Sequence, residues 1–475
     1  MLQLIWLRTD LRADDNTALS AAMANGPTVA LFLITPEQWR RHDDAACKVD
    51  FWLRNLACLG ERLERLGVPL LIRQVPDWTG APDVLVRVCH ELRVAAVHVN
   101  DQYGVNEQRR DEAVASALLD RGVRFERHLD DTLFAPGTIR TRTGGPFRVY
   151  GQFRKACLER LWHAPVGAGS APRPQAPLGI AGDALPDRVI GFEPPSAELQ
   201  ARWPAGERHA QAQLARFVDE RLAAYGQARD VPSEPGTSQL SPYLAAGVLS
   251  PRQCLDAALA ANRGTFDGGD AGASQWIGEL LWREFYRHVL CAFPRVSMGR
   301  AFRPETERLP WRHAPDELRA WQQGRTGIPL VDAAMRALLA TGWMHNRLRM
   351  ITAMFLSKNL LIDWREGERW FMRHLIDGDL AQNNGGWQWC ASTGTDSVPY
   401  FRLFNPVTQS QRFDPQGAFI RQWVPELAQL SDRDIHLPPA SADLFAAADY
   451  PPPIVDLALS RARALDAFRQ LSAGD

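Results

Sequence analysis

Near-continuous apolar runs alternating with helix-period segments up to about residue 130, a proline-rich stretch after them, and almost unbroken helical periodicity beyond residue 200 predict two domains. The first is an α/β Rossmann-like N-terminal domain and the second an all-α C-terminal domain. A chain of 475 residues exceeds the size at which a single hydrophobic core stops growing, so more than one domain is expected from length alone.

The β-rich runs are LQLIWL, TVALFLI, VPLLIRQV, VAAVHVN and VRFERHL, with amphipathic stretches such as AACKVDFWLRNLACLGERLERLG and NEQRRDEAVASALLDRG between them. Strands apolar along their whole length are buried on both faces, as in a doubly wound parallel sheet covered by helices. No G-x-G-x-x-G follows the first run and no Walker loop occurs, so a dinucleotide or triphosphate bound in the usual way is not indicated. From Pro165 to Pro195 seven prolines lie among Gly, Ala and Ser, a composition that propagates neither helix nor strand. Helical periods then run through QLARFVDERLAAYG, VDAAMRALLATG, RLRMITAMFLSKNLL and EGERWFMRHLI. The expected scheme is residues 1–130 for the α/β domain, 131–200 for an interdomain linker and 201–475 for the helical domain.

Apolar residues at 45% and charged residues at 23% are ordinary for a globular protein. A net charge of −1 supplies no global attraction to nucleic acid, so any nucleic-acid surface has to be local. The seven cysteines are odd in number and form no Cys-x-x-Cys pair, which fits a reducing cytoplasm. The N-terminus meets Arg8 and Asp10 too early for a signal peptide, and no run approaches the ~18 apolar residues of a membrane span. Ten of the 16 tryptophans lie at or after Trp276, which suggests aromatic chemistry or stacking in that half, or else a large aromatic core.

Three segments carry chemistry. In GTSQLSPYLAAGVLSPRQCLDAALAAN, Ser241–Pro242 and Ser250–Pro251 both read as a helix N-cap followed by a first-turn proline, with Gly247 as a C-terminal cap. The hydroxyls of Thr237, Ser238 and Ser241 beside free backbone N–H groups suit a phosphate, although most such caps hold nothing. In SQWIGELLWREFYRH, Glu279, Trp282, Arg283 and Tyr286 share one helical face. That face suits a base, with a ring to stack, a carboxylate to accept hydrogen bonds and a guanidinium for phosphate; the alternative is a Glu279–Arg283 ion pair beside a structural tryptophan. In HLIDGDLAQNNGGWQWCASTGTD, Asp377 and Asp379 precede Asn383, two glycines, Trp387 and Trp389, an arrangement suited to a heteroaromatic cofactor. The histidines and acids show no metal-ligand spacing.

The segments WREFYRH, GWMHNRLRM, LIDWREGE and DGDLAQNNGGWQWCASTGTD closely resemble the photolyase and cryptochrome family, specifically bacterial class I cyclobutane pyrimidine dimer photolyases. The likeness extends to the opening WLRTDLRADDNTAL and to NPVTQSQRFDPQGAFIRQWVPEL. It implies an N-terminal antenna domain and a helical domain holding a bent FAD. In it Tyr225, Thr237, Ser238, Leu240 and Ser241 correspond to flavin phosphate and ribose contacts. Trp276, Arg349, Asp377, Asp379 and Asn383 correspond to the rest of the flavin shell, with Arg349 paired to Asp377 and Asn383 facing the flavin N5.

The same resemblance implies a lesion pocket of Glu279, Trp282, Arg283, Asn346, Met350 and Trp389, with Arg229 and Arg347 near the DNA backbone. Trp387, Trp364 and Trp311 match the family's electron-hopping chain. The implied activity is repair of dimers in DNA by electron transfer from excited reduced FAD, with Glu279 stabilising the dimer anion. Asn346 and Met350 disfavour the (6-4) photoproduct, since that subfamily carries histidines there. Asn383, Trp282 and the lack of a long tail before Asp475 set a cryptochrome-like photoreceptor second. His42, Asn106 and Glu107 fit positions that hold methenyltetrahydrofolate, but Met298 replaces a lysine there, with only Arg295 and Arg300 nearby. Folate, a deazaflavin and an empty pocket stay open, in that order. The expected partner is DNA containing pyrimidine dimers, bound by a monomer without membrane contact. A plain nucleotide-binding or adenylyl-transferring protein is the rival suggested by the α/β half alone.

Overall fold

The computed structural model describes residues 1–395, 402–439 and 449–473. Five parallel strands, β1 (Leu2–Leu7), β2 (Thr28–Ile34), β3 (Leu70–Gln74), β4 (Val94–Asn100) and β5 (Arg124–His128), form one sheet in the order β3-β2-β1-β4-β5. β1 is central, registered with β2 at Ile5 and Ala30 and with β4 at Ile5 and His98. Helices cover both faces of the inner strands: Ile5, Leu7, Ala30 and Phe32 pack on one side, Leu4, Trp6, Val29 and Leu31 on the other, while the edge strand β5 is only partly buried. Beyond residue 196 the described chain is helical, joined by loops, as expected.

Strand order reverses between β1 and β4, and in open α/β sheets the crevice outside the carboxyl ends of such strands is where ligands bind. A cavity of about 350 Å³ lies at that place. Arg8, Asp10 and Asn100 line it from the sheet, Glu368, Met372 and Asp379 from the helical half.

Buried charge locks the two halves together. The Arg252 guanidinium donates to both Asp15 carboxylate oxygens (3.1 and 2.9 Å), to Asp130 Oδ1 (2.9 Å) and to the Asp130 carbonyl (2.8 Å). Gly247 has φ +65° and closes the same seam: a Cβ there would stand 2.1 Å from the Thr9 carbonyl oxygen.

Part of the expected linker is not linker-like. Tyr150–His163 is a helix whose Phe153 is buried against Phe285 and His288 of the helical half. The proline-rich stretch behind it lies along the α/β domain, with Gln175 bonded to Thr28 and Gly67 and the Asp183 carboxylate accepting from Ile72 N–H.

Candidate active site

The helix Ala271–Ala292 starts at Asp270, whose carboxylate accepts from Ala273 N–H (2.8 Å). Its apolar face, Ile277, Leu281 and Phe285, is in the core, which turns Glu279, Trp282, Arg283 and Tyr286 outward together. The alternative Glu279–Arg283 pair does not form. Glu279 instead accepts from Arg229 and from Gln275 (3.1 Å), and Arg283 pairs with Asp131 and donates to its carbonyl (2.6 Å). The Trp282 ring is covered by Tyr150, stacked at 3.6 Å between centroids and 13° between planes. The Tyr150 hydroxyl donates to the Gly278 carbonyl (2.5 Å), so the stack is held from both ends.

The helix Asn346–Met354 begins at His345, whose Nδ1 accepts from Arg347 N–H (3.1 Å). Burial pushes the His345 pKa down to about 4, so the ring is neutral near neutral pH. Exposed Asn346 and half-buried Met350 lie one turn apart on this helix. Arg347 pairs with Asp230 (2.7 Å) and covers the Phe413 ring, while Asp230 also lies 3.9 Å from Arg229. Glu279, Arg229, Asp230 and Arg347 thus form a row of alternating charge beside the Trp282 face. Half-buried Trp389 carries the Arg402 guanidinium over its ring, 5.1 Å from the centroid.

The residues expected around a flavin lie on these helices and the segments beside them, in separate contact groups. One Arg349 nitrogen donates to both Asp377 oxygens (3.0 and 2.7 Å) and its Nε to the Met344 carbonyl (2.8 Å), the pairing expected from sequence. Asp379 caps the helix Leu380–Ala391 through Gln382 N–H (3.0 Å) and accepts from Arg287 (2.6 Å). Tyr225 and Trp276 are buried and both pack on Phe217. Leu240 is buried and its N–H reaches the Ser238 hydroxyl (3.4 Å). Ser241 is not the expected N-cap: it is the first residue of the helix Ser241–Ala245, and its oxygen accepts from Trp343 Nε1 (3.1 Å). Among the described residues, the Thr237 hydroxyl and Arg349 Nη1 have no protein partner, so each can still bond a ligand.

Asn383 donates its amide to the Glu368 carbonyl (2.9 Å) and, more weakly, to Glu368 Oε1 (3.4 Å). Burial, and then the nearby Asp43 carboxylate, push the Glu368 pKa up to about 7, against the opposing pull of the Asn383 hydrogen bond. Trp387 and Trp364 are buried while Trp311 is half-exposed, an order running from core to surface. Gly367 admits the Trp387 ring, since a Cβ there would lie 2.1 Å from its Cη2 atom.

His42, Asn106 and Glu107 line the interdomain cavity with Asp379. Gln38 (2.9 Å) and Asn106 (3.1 Å) both approach His42 Nε2; with both amides donating, the ring proton sits on Nδ1. Met298 is 58% exposed and Arg295 faces Glu307 at 3.7 Å, so neither reaches toward His42 as a lysine substitute would. Among the described residues no three His, Cys, Asp or Glu side chains are grouped to hold a metal. Sequence reasoning missed Tyr150, Asp131, Asp230, Glu368 and Arg402; the first three meet Trp282, Arg283 and Arg347 across more than a hundred residues.

A family model described as DNA photolyase matches residues 3–175, and one described as the FAD binding domain of DNA photolyase matches residues 276–470. The deoxyribodipyrimidine photo-lyase of Escherichia coli (strain K12) is 44% identical over 474 residues, covering 99% of each chain. Among solved structures, a bacterial class III photolyase from Agrobacterium tumefaciens superposes with a TM-score of 0.87 at 34% identity, covering 99% of this chain and 98% of that one. An archaeal photolyase from Sulfolobus tokodaii with two FAD molecules superposes with a TM-score of 0.81 at 28% identity, covering 99% and 100%.

Proposed function

Because the chain belongs to the DNA photolyase family, we propose that it is a light-dependent deoxyribodipyrimidine photo-lyase, acting as a monomer on DNA that contains cyclobutane pyrimidine dimers. One observation carries the reading. Trp276, of the expected flavin shell, and Glu279 and Trp282, of the expected lesion face, sit on a single helix three and six residues apart. At ~1.5 Å rise per residue these side chains leave the helix ~5–9 Å apart along its axis, which supports a flavin and a dimer within reach of a direct electron jump. Bound reduced FAD would supply the photoexcited electron that opens the cyclobutane ring and then takes it back.

In this reading Trp282 stacks on the swung-out dimer, and Glu279, held by Arg229, presents a carboxyl to its base edge. Arg283, Asn346, Met350 and Trp389 complete the wall, and Arg347 meets the backbone. Thr237, Ser238 and Arg349 hold the cofactor's phosphates and ring, and Asn383 faces N5 with an amide that does not itself titrate. Trp387, Trp364 and Trp311 pass electrons from the surface inward. We assign the antenna to the cavity bordered by His42, Asn106 and Glu107, with methenyltetrahydrofolate preferred over a deazaflavin. The domain boundaries are proposed at residues 130 and 200, with the 150–163 helix joined structurally to the second half. A cryptochrome-like photoreceptor is less favoured, since the curated relative above is a photo-lyase.

The test is to illuminate a dimer-containing oligonucleotide with the chemically reduced protein and follow recovery of thymines. Recovery that needs light is expected; absence of recovery in a flavin-loaded sample would overturn the assignment.

A further inference from the structure

Residues 132–158 contain five Arg or Lys residues and no Asp or Glu, in a chain whose net charge is −1. A basic run is by itself usually a solvated face, but this one is built and anchored. At its start the buried Glu284 carboxylate accepts from Leu133 N–H (2.9 Å) and Phe134 N–H (3.0 Å). At its end Tyr150 stacks on Trp282, and Phe153 is buried against Phe285. The strap therefore brackets the helix that presents the lesion face.

Between the anchors the backbone makes a tight turn. Thr141 N–H donates to the Gly145 carbonyl (2.9 Å) and Gly144 N–H to the Thr141 carbonyl (2.9 Å), with Gly144 at φ +82° where L side chains are strained. Arg140 braces the turn by donating to the Gly137 (2.5 Å) and Gly144 (3.1 Å) carbonyls. That leaves Arg142 exposed at the tip and Arg148 and Lys155 exposed on either side of Tyr150, none of them paired with a carboxylate among the described residues. Arg154, between them, is already paired with Asp267.

We infer that this strap is a second arm of the DNA-binding surface, in which Arg142, Arg148 and Lys155 hold the phosphodiester backbone of the duplex flanking the extruded dimer. The inference rests on the DNA-repair reading above and extends it to residues outside the lesion pocket. Three exposed cations without a carboxylate partner, on a strap anchored to the Trp282 helix and with Arg148 lying over the Phe293 ring (5.5 Å), are what an electrostatic, sequence-independent grip requires. Such a grip acts on damaged and undamaged duplex alike.

The test compares flavin-loaded wild type with an R142A/R148A/K155A variant for binding to undamaged and dimer-containing duplexes across salt. Three lost contacts are expected to flatten the slope of log K against log salt by about 2–3 and to weaken both duplexes roughly ten- to hundredfold near 0.1 M salt, leaving their ratio unchanged. R142K/R148K is expected to keep the wild-type slope. An R87A/R109A/R121A control, altering exposed arginines of the α/β domain, is expected to change nothing. An unchanged slope in a variant with wild-type thermal stability, or an equal loss in the control, would overturn the strap while leaving the repair assignment standing. Wild type that binds neither duplex would overturn both.

Discussion

Replacing Glu368 by Gln probes the one strongly shifted acid in contact with the expected flavin amide. In the folded protein this carboxyl titrates near pH 7, against 4.5 as its ordinary value, because burial and then Asp43 oppose its charge. Between pH 4.5 and 7 the native state holds a proton that the unfolded state has released, so wild-type stability falls as pH rises through this window and levels off above it. The full shift corresponds to about 3 kcal/mol, and the open cavity beside Glu368 brings that toward about 2. Gln keeps the shape and the acceptor for Asn383 without the charge. The Gln variant is expected to match wild type near pH 5 and to unfold several degrees higher near pH 8.5, about 2 °C per kcal/mol for a domain of this size. The assay is thermal unfolding of samples with equal flavin content at several pH values. Asp43→Asn, by removing the second cause of the shift, is expected to move the transition to lower pH. A variant-minus-wild-type difference that stays flat from pH 5 to 8.5 would refute the reasoning.

Other perturbations read out other parts of the account. Trp364→Phe is expected to abolish flavin photoreduction yet spare repair by enzyme already chemically reduced; normal photoreduction would remove Trp364 from the electron path. Gly367→Ala forces a methyl against the Trp387 ring. It is expected to cost about 1–3 kcal/mol and to slow photoreduction, and unaltered melting would show that the ring yields freely. Arg252→Ala strips the interdomain lock from buried Asp15 and is expected to cost about 3–5 kcal/mol in thermal unfolding; a loss below about 1 kcal/mol would show the seam to be held by packing alone.

The sheet was readable because its three inner strands, β2, β1 and β4, are apolar over nearly their whole length, a pattern that burial on both faces explains, whereas the edge strands β3 and β5 carry charge. The shared face of Glu279, Trp282 and Arg283 was readable from helical spacing, but its partners were not. Arg229 is 50 residues from Glu279, and Tyr150 sits in a stretch whose following prolines suggested a linker. Glu368 looks like a solvated position of an amphipathic helix, and only the position of the α/β domain turns it into a cavity wall. Ser241 and Ser250 share the Ser-Pro pattern yet behave differently. Ser250 has Gln253 three residues on to complete a capping box, whereas Ser241 has Leu244 there and its oxygen accepts from the Trp343 indole N–H. Cofactor, lesion and electron-path roles came from the family likeness, since spacing alone left each of them open.

The central claim is that the helical half holds a bound flavin and an extruded dimer close enough for direct electron exchange. The most direct measurement is the fluorescence lifetime of the reduced flavin with and without a saturating dimer-containing oligonucleotide. The account predicts a lifetime shortened by the dimer, unaffected by the same oligonucleotide undamaged, and less shortened in Glu279→Gln. A lifetime indifferent to bound dimer would contradict it.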